Sequence, residues 1–281
     1  MSPHLPKISI VTPSLNQGKF LEQTILSVLN QNYPNLEYII IDGGSTDNSV
    51  DIIKKYEDRI TFWESKPDNG QADAIYRGFE RARGDIIAWI NSDDYYLEGA
   101  LKTVGNYFTK YPSIDWLAGN GIMVDKDNHE LLKCYTTNFS FDHLYYCETL
   151  YLQPSIFVSR KAFFERGRFD TTLIFCMDYD LFLNLSLRSN PLQISDFLSA
   201  NRRHIDAKSN TILDVNLKEL DYIRNIKYKK YRKNWFYQTY RSFKKYLVTG
   251  FHRTKTAGIL PYFYWLSHEN SILFNYRKKS K

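Results

Sequence analysis

Cysteine is scarce in this chain of 281 residues. The three cysteines, Cys134, Cys147 and Cys176, are far apart, and no two of them form a C-x-x-C pair. An odd, widely spaced set predicts neither a disulfide framework nor a zinc site. The sequence therefore argues against a small disulfide-stapled scaffold and favours a reducing compartment.

Long apolar runs are missing as well. The first run, 8–11, ends at Thr12-Pro13, and the longest later one, 258–266, is much shorter than the roughly 20 residues of a membrane-spanning helix. The N-terminus shows no signal-peptide pattern. We therefore expect a cytoplasmic protein that is not integral to a membrane.

Several motifs of nucleotide and nucleic-acid binding are also absent. No G-x-G-x-x-G follows an early strand-like segment, which argues against a dinucleotide-binding domain. Residues 14–18 (SLNQG) are not the Gly- and Arg-rich phosphate loop expected of a nucleotidyltransferase that makes sugar nucleotides. No nucleic-acid recognition motif is present, so we expect no nucleic-acid partner.

What is present is an alternation of strand-like and helix-like segments, which predicts an α/β fold with a mainly parallel sheet flanked by helices. Past Asp115 the pattern becomes mixed. The predicted strands are 7–12, 36–41, 60–63, 85–90, 116–124 and 155–159, and the predicted helices include 20–30, 71–82 and 178–187.

Three polar clusters follow predicted strands, at 12–14 (TPS), 42–45 (DGGS) and 91–94 (NSDD). Ligands of parallel sheets bind outside the carboxyl ends of the strands, so we expect the clusters to share one crevice. The glycines of the second cluster allow close backbone approach, and a helix N-terminus behind them would favour an anion. The alternative is an ordinary turn in which Ser45 or Thr46 caps the next helix.

The adjacent carboxylates Asp93 and Asp94 are the strongest chemical signal. Two like charges beside a low-dielectric crevice are costly unless a cation or proton compensates them. A divalent ion such as Mg²⁺ or Mn²⁺, shared with substrate phosphate oxygens, would do so. The alternative is that Asp94 caps a helix beginning at Tyr95 and Asp93 is merely exposed.

Four segments in order carry a resemblance to a known family: T-P-S-x-N at 12–16, I-I-I-D-G-G-S-T-D at 39–47, P-D-N-G-Q-A-D-A at 67–74 and I-A-W-I-N-S-D-D at 87–94. Together they resemble the family-2 glycosyltransferases of GT-A fold, over roughly residues 7–210. The resemblance implies a mixed, mainly parallel sheet and an inverting transfer from a nucleoside-diphosphate sugar, favouring a UDP-sugar. It further implies a saccharide or lipid-linked acceptor and a divalent cation, Mn²⁺ or Mg²⁺.

By this resemblance Pro13 and Asp42 would line the nucleobase and ribose pocket, and Asp93, with Asp94, would hold the metal. The family's D-x-D appears here as Asn91-Ser92-Asp93, so we expect only a lesser contact from Asn91. The residues expected at the donor site are Thr12, Pro13, Asn16, Asp42, Gly43, Ser45, Asp68, Gly70, Asp73, Asn91, Ser92 and Arg202.

The later half suggests the remaining parts of the site. Relatives carry a Glu-Asp pair that supplies the base; here Met177 replaces the glutamate, leaving Asp178 as the base and Asp180 as its competitor. One of the two aspartates would then cap the helix. An R-x-H stretch ends at His204, which would contact the metal or the departing diphosphate; the alternative is a structural hydrogen-bonding histidine.

Charge divides the chain in two. From Val215 onward Lys and Arg outnumber Asp and Glu sixteen to three, whereas the preceding part is acidic. We expect a GT-A domain over 1–214, with a donor half of about 1–115 and an acceptor half of about 116–214, and a basic, aromatic helical extension over 215–281. Residues 228–247 have amphipathic spacing, which fits either a helix at the inner face of an anionic membrane or one packed on the body.

The missing carboxylate at Asn91 and the missing glutamate at Met177 leave a rival function open. A non-catalytic sugar-nucleotide-binding module would keep the donor pocket without turning the donor over.

Overall fold

A computed structural model describes residues 5–136, 139–146, 151–204 and 213–232 of the protein. The chain divides into two compact units, Met1–Lys230 and Tyr231–Lys281. The first unit is described below. The helix predicted over 228–247 lies mostly outside the described residues. Of that range, the structure describes only 228–232.

Nine strands form one mixed sheet. The strands are β1 (Ile8–Ser14), β2 (Leu36–Asp42), β3 (Phe62–Ser65), β4 (Ile86–Trp89), β5 (Tyr95–Tyr96), β6 (Trp116–Val124), β7 (Glu130–Cys134), β8 (Ile156–Ser159) and β9 (Leu192–Arg202). The α-helices of the described chain are α1 (Leu21–Leu29), α2 (Ser49–Lys55), α3 (Gln71–Arg81), α4 (Ala100–Lys110), α5 (Phe141–Tyr146), α6 (Arg160–Arg166), α7 (Met177–Ser186) and α8 (Leu213–Tyr222).

The sheet order is β3-β2-β1-β4-β8-β6-β9-β5. Strand β7 lies outside this order and pairs antiparallel with the second half of β6. The first four strands run parallel, whereas β8 is antiparallel to both of its neighbours, and β6 and β9 are parallel to each other. Every residue of β1 is buried, as expected for a central strand with helices on both faces. The predicted mixed α/β architecture is confirmed.

Helix α3 packs unusually close to β1. A Cβ atom added at Gly78 would lie 2.5 Å from Cγ1 of Val11, so only glycine allows this approach. The contact fixes the axis of α3, whose first residue, Gln71, lies at the carboxyl end of the parallel strands.

Two of the local alternatives are wrong. No helix begins at Tyr95: Tyr95–Tyr96 form β5, which pairs with β9, and α4 begins only at Ala100. Asp94 is therefore not a helix cap. Helix α2 begins at Ser49 behind Asn48, so Ser45 and Thr46 do not cap it; both bind neighbouring loops instead.

The predicted boundary after residue 214 lies inside α8, and the first compact unit continues to Lys230. Beyond α8 the chain forms a π-helical turn (Ile223–Lys227) and a 3-10 turn (Lys229–Tyr231). Of the cysteines, Cys134 and Cys176 are buried, and Cys147 is outside the described residues. Within the described ranges, no helix is both long enough and apolar enough to cross a bilayer.

Candidate active site

The three polar clusters do meet at one edge of the sheet. Strands β2, β1 and β4 are adjacent, and Ser14 pairs in register with Asp42. A cleft of about 450 Å³ opens above them. Its lining residues are Pro13, Ser14, Leu15, Gln17, Asp68, Gly70, Gln71, Ala74, Asn91, Ser92, Asp93 and Ile174.

Asp42 is fully buried beneath this cleft. Its Oδ2 accepts hydrogen bonds from the backbone N–H of Gly44 (3.1 Å) and Ser45 (2.8 Å) and from the Ser65 hydroxyl (2.6 Å). Gly44 has a φ of 87°, which suits glycine. Asp42 thus holds the turn that contains Gly43. A Cβ atom at Gly43 would lie 2.9 Å from Oδ2 of Asp68, which lines the cleft.

Two other predicted donor residues hold parts of the backbone together. Asn16 Oδ1 accepts from the Thr46 N–H at 2.8 Å, and the Asn16 N–H donates to the Ser45 hydroxyl at 2.8 Å. Thr12 is fully buried, with its hydroxyl 3.0 Å from that of Tyr38. These side chains fix the backbone behind the cleft, and none of them lines it.

Ser14 belongs to the first polar cluster but was not among the predicted donor residues, and unlike Thr12 and Asn16 it lines the cleft. Ser14 is 4% exposed, and its Oγ has no hydrogen-bond partner among the described residues. A buried hydroxyl without a partner is rare in native proteins. Ser14 Oγ is therefore a candidate for bonding to a ligand in the cleft.

The P-D-N-G segment forms the opposite rim. Asp68 Oδ1 accepts from the Gly70 N–H at 2.8 Å, and Gly70 has a φ of 103°. Asp73 accepts from the Asn69 N–H at 3.1 Å and is absent from the cleft lining. The structure thus places Asp68 and Gly70 at the cleft and puts Asp73 behind the loop.

Asp93 and Asp94 lie in different environments. Asp94 is 1% exposed and accepts from the side-chain amides of Asn201 (3.0 Å) and Asn91 (3.2 Å) and from the Arg202 N–H (2.9 Å). Burial, reinforced by the Asp93 charge, raises the pKa of Asp94 well above its usual range. Asp93 keeps 20% of its side chain exposed, facing the cleft.

The end of strand β9 and the residues just after it bring two basic side chains close to Asp93. His204 Nε2 lies 3.0 Å from Asp93 Oδ2, and the His204 ring packs on Phe20 with centroids 4.8 Å apart. Arg202 donates from Nε to the Asp93 carbonyl (2.9 Å) and from Nη2 to Gln23 Oε1 (2.8 Å). Arg202 thus holds the backbone of Asp93 in position.

A second pocket of about 240 Å³ adjoins the first. Gln71, Asn91 and Asp93 line both cavities, and Gln71 Nε2 donates to Asn91 Oδ1 at 2.7 Å. Gln71 was not predicted as a site residue; its place after P-D-N-G, at the start of α3, is the signal that could have identified it. The other lining residues are Asp94, Tyr151, Leu152, Gln153, Phe175, Met177, Asp178, Asn201, Arg202 and Arg203.

The structure separates Asp178 from Asp180. Asp178, at the start of α7, is partly exposed and lines the second pocket. The Asp180 side chain is 2% exposed, does not line that pocket, and pairs with Lys227 Nζ at 2.7 Å. Burial raises the pKa of Asp180 despite its bond to Lys227. Asp178 alone of the two faces the pocket that contains Asp93.

Solved structures with this architecture support the fold. A Staphylococcus aureus TarS structure in complex with UDP-GlcNAc is similar at a TM-score of 0.64 and 14% identity, covering 88% of this chain and 73% of that one. The mannosyltransferase PcManGT of Pyrobaculum calidifontis, in complex with GDP-Man and Mn²⁺, matches at a TM-score of 0.58 and 14% identity, covering 98% and 83%. These likenesses confirm the GT-A fold.

Sequence comparison identifies the family. An uncharacterized glycosyltransferase of Haemophilus influenzae is 35% identical over 144 residues, which span 50% of this chain and 57% of that relative. The Glycosyl transferase family 2 model matches residues 9–168, more than half of the chain and all four quoted motifs up to Asp94. The chain belongs to glycosyl transferase family 2.

Proposed function

We propose that this protein transfers a sugar from a nucleoside-diphosphate donor, favouring a UDP-sugar, to an acceptor hydroxyl with inversion at the anomeric carbon. The observation that carries the proposal is the arrangement of two joined cavities. Asp93 lies where they meet, and Asp178 faces the smaller one. The larger cavity would hold the donor and the smaller one the acceptor, with the transferred bond between them.

Asp93 and His204 fit a divalent cation. The described residues contain no cluster of three or more His, Cys, Asp or Glu side chains that could hold a metal alone. Two donors suffice when substrate phosphates supply others, and cis ligands of an octahedral ion with bonds of about 2.1 Å lie about 3 Å apart. Asp93 Oδ2 and His204 Nε2 are 3.0 Å apart.

We assign Asp94 a supporting place in this proposal. Its oxygens already accept from Asn91, Asn201 and Arg202, which ties the end of β4 to the end of β9. Asn91 is similarly engaged with Gln71. A bound Mn²⁺ or Mg²⁺ would act as a Lewis acid that stabilises the charge of the leaving diphosphate.

Asp178 is the proposed base. An acceptor hydroxyl is a weak nucleophile at neutral pH, so a carboxylate must take its proton as the new bond forms. Asp178 is accessible from the smaller pocket, whereas Asp180 is buried and paired with Lys227. Pro13, Ser14, Asp68 and Ser92 would contact the donor, and Asp42 would hold the turn beside it.

The family supports a proposal for the biological setting. We propose a role in glycan or polysaccharide biosynthesis, with a saccharide or lipid-linked acceptor on the cytoplasmic side of the membrane. The basic, aromatic residues after Arg232 would supply peripheral membrane contact. Co-sedimentation with anionic liposomes, compared between the full chain and a chain ending at Arg232, tests this contact; equal binding would refute it.

One experiment tests the function itself. The full chain is incubated with Mn²⁺ and a panel of UDP- and GDP-sugars, and released nucleoside diphosphate is measured beside binding affinity. Release that EDTA abolishes and that Asp178→Asn reduces supports the transferase. Tight binding to a donor with no release, with or without saccharide acceptors, would favour the non-catalytic binding module instead.

A further inference from the structure

A carboxylate from the C-terminal part of the compact unit binds three consecutive backbone amides beside the site. Glu219, on α8, accepts hydrogen bonds from the N–H groups of Ile174 (2.6 Å), Phe175 (2.9 Å) and Cys176 (2.8 Å). These contacts span more than 40 residues of sequence. A carboxylate that accepts several amides forms charge-assisted bonds, which are stronger than neutral ones.

The three amides lead directly into α7. Cys176 is the N-cap residue of that helix, and its side chain makes no capping bond. The Cys176 thiol instead donates to Asn216 Oδ1 at 3.2 Å. Glu219 thus supplies a negative charge at the N-terminus of α7, where the helix dipole favours one.

The same short segment contributes to both cavities. Ile174 is 56% exposed and lines the larger cleft, and Phe175, Met177 and Asp178 line the smaller pocket. Met177 is the one residue between Cys176 and Asp178, so the backbone at Asp178 cannot move far independently of 174–176. Fixing the amides of 174–176 therefore fixes where the Asp178 carboxyl lies.

Further contacts hold the rest of α7 to the same C-terminal stretch. Lys227 Nζ bonds Asp170 (2.9 Å) and Asp180 (2.7 Å), and Arg224 Nε donates to the Tyr179 hydroxyl at 3.0 Å. These residues stabilise the body of α7. Glu219 is the residue of this group that contacts the backbone immediately before Asp178.

We infer that Glu219 is a positioning residue for the proposed base Asp178, acting by clamping the 174–176 backbone. The inference rests on the proposed function, because it concerns the placement of that base. A displacement of about 1 Å in a catalytic group can cost about 100-fold in rate. Of the three amides released by losing Glu219, that of Ile174 is exposed and can bond to water, whereas those of Phe175 and Cys176 are part-buried. We therefore expect a loss of turnover accompanied by some loss of stability.

The test compares Glu219→Ala with Glu219→Gln, which keeps one acceptor oxygen, and with Glu22→Ala as control. Glu22 bonds Lys55 and Tyr56, each at 2.6 Å, and lines neither cavity. The probe is UDP released from UDP-N-acetylglucosamine with Mn²⁺. We expect kcat to fall about 10- to 100-fold in Glu219→Ala and less in Glu219→Gln, with UDP affinity within about threefold. A parallel fall in UDP affinity would overturn the inference.

A double-mutant cycle separates this inference from the proposed function. If Glu219 acts through Asp178, then Asp178→Asn combined with Glu219→Ala is no slower than Asp178→Asn alone. Multiplying effects would refute the positioning role. Normal turnover in Asp178→Asn would refute the proposed base, whereas slow Asp178→Asn with normal Glu219→Ala would refute only the inference.

Hydrogen exchange gives a readout that needs no donor. We expect peptides covering 170–180 to exchange at least about 10-fold faster in Glu219→Ala, with the β1 and β4 peptides unchanged. Glu22→Ala should leave 170–180 protected. Unchanged exchange at 174–176 in Glu219→Ala would show that the carboxylate does not hold this backbone.

Discussion

His204 Nε2 lies 3.0 Å from Asp93 Oδ2, although 111 residues separate the two in the chain. The sheet brings them together. Asp93 follows β4 and His204 follows β9, and the oxygens of Asp94 accept hydrogen bonds from Asn201 and Arg202 on β9. The buried aspartate thus joins two strand ends so that its exposed neighbour meets the histidine.

The first prediction concerns this pair. We expect Asp93→Asn to weaken Mn²⁺-dependent UDP binding by at least about 10-fold, because a neutral amide is a poorer ligand for a hard cation than a carboxylate. Calorimetry with UDP in Mn²⁺ or EDTA measures the effect. Asp127→Asn, at an exposed residue paired with Lys126, is the control. If both variants show the same Mn²⁺ dependence as the parent, Asp93 does not hold the metal.

The second prediction separates the two aspartates of α7. Asp178→Asn should lower kcat by about 100-fold or more with little change in stability or UDP affinity, since it removes a base. Asp180→Asn should instead lower the free energy of unfolding by about 1–3 kcal/mol, because it weakens the bond to Lys227 in a buried place. Urea unfolding and turnover are measured on both. Normal turnover in Asp178→Asn would contradict the assignment.

The third prediction is a pH dependence of stability that originates at Glu37, far from the site. Burial raises the pKa of Glu37, but bonds from Ser9, the Arg83 N–H and Lys7 outweigh it, so the pKa lies below the ordinary value of 4.5. The stabilisation is therefore fully present above pH 4.5 and is lost as the pH falls through the lowered pKa.

Accordingly, Glu37→Gln should lower the free energy of unfolding by about 1–3 kcal/mol at pH 7. The difference in free energy of unfolding between variant and parent should shrink as the solution is acidified below pH 4.5. Urea titrations from pH 7 to pH 3 test this. Glu57→Gln, at an exposed position, should show no such pattern. A difference that stays constant with pH would mean that the ionised form of Glu37 is not what stabilises the fold.

The fourth prediction concerns the contact between α3 and β1. Gly78→Ala should destabilise the fold by about 1–3 kcal/mol, because the new Cβ overlaps both methyl groups of Val11 and the branched side chain cannot turn away. Thermal unfolding measures the effect. Asn106→Ala, on an exposed face of α4, should be neutral or stabilising.

A second substitution makes this prediction specific. Val11→Ala removes the two methyl groups, so the combination with Gly78→Ala should cost less than the two single losses together. Additive losses would show that the helix is not limited by this contact.

Much of the donor half was predictable because its signals are local. The β1, β2 and β4 runs are apolar and short, and each ends in polar residues, so parallel pairing placed 12–14, 42–45 and 91–94 along one edge. The strand after Asp94 was not predicted, since β5 is only two residues long and owes its conformation to pairing with β9. Pairing across about a hundred residues leaves no periodic pattern in a short strand.

The fold class, the family and the edge of the sheet at which the polar clusters meet were predictable from the amino-acid sequence, because apolar periodicity and four ordered motifs lie in consecutive residues. Which carboxylates are exposed and which are buried follows only from the tertiary contacts. Asp93 and Asp94 are adjacent and chemically identical, and Asp178 and Asp180 are only two residues apart. In each pair the second aspartate is buried against residues that are distant in sequence, whereas the first is partly exposed. The exposure and the hydrogen-bond partners of these carboxylates depend on contacts with β9 and with the chain around Lys227. The residue type at a single position does not specify such contacts.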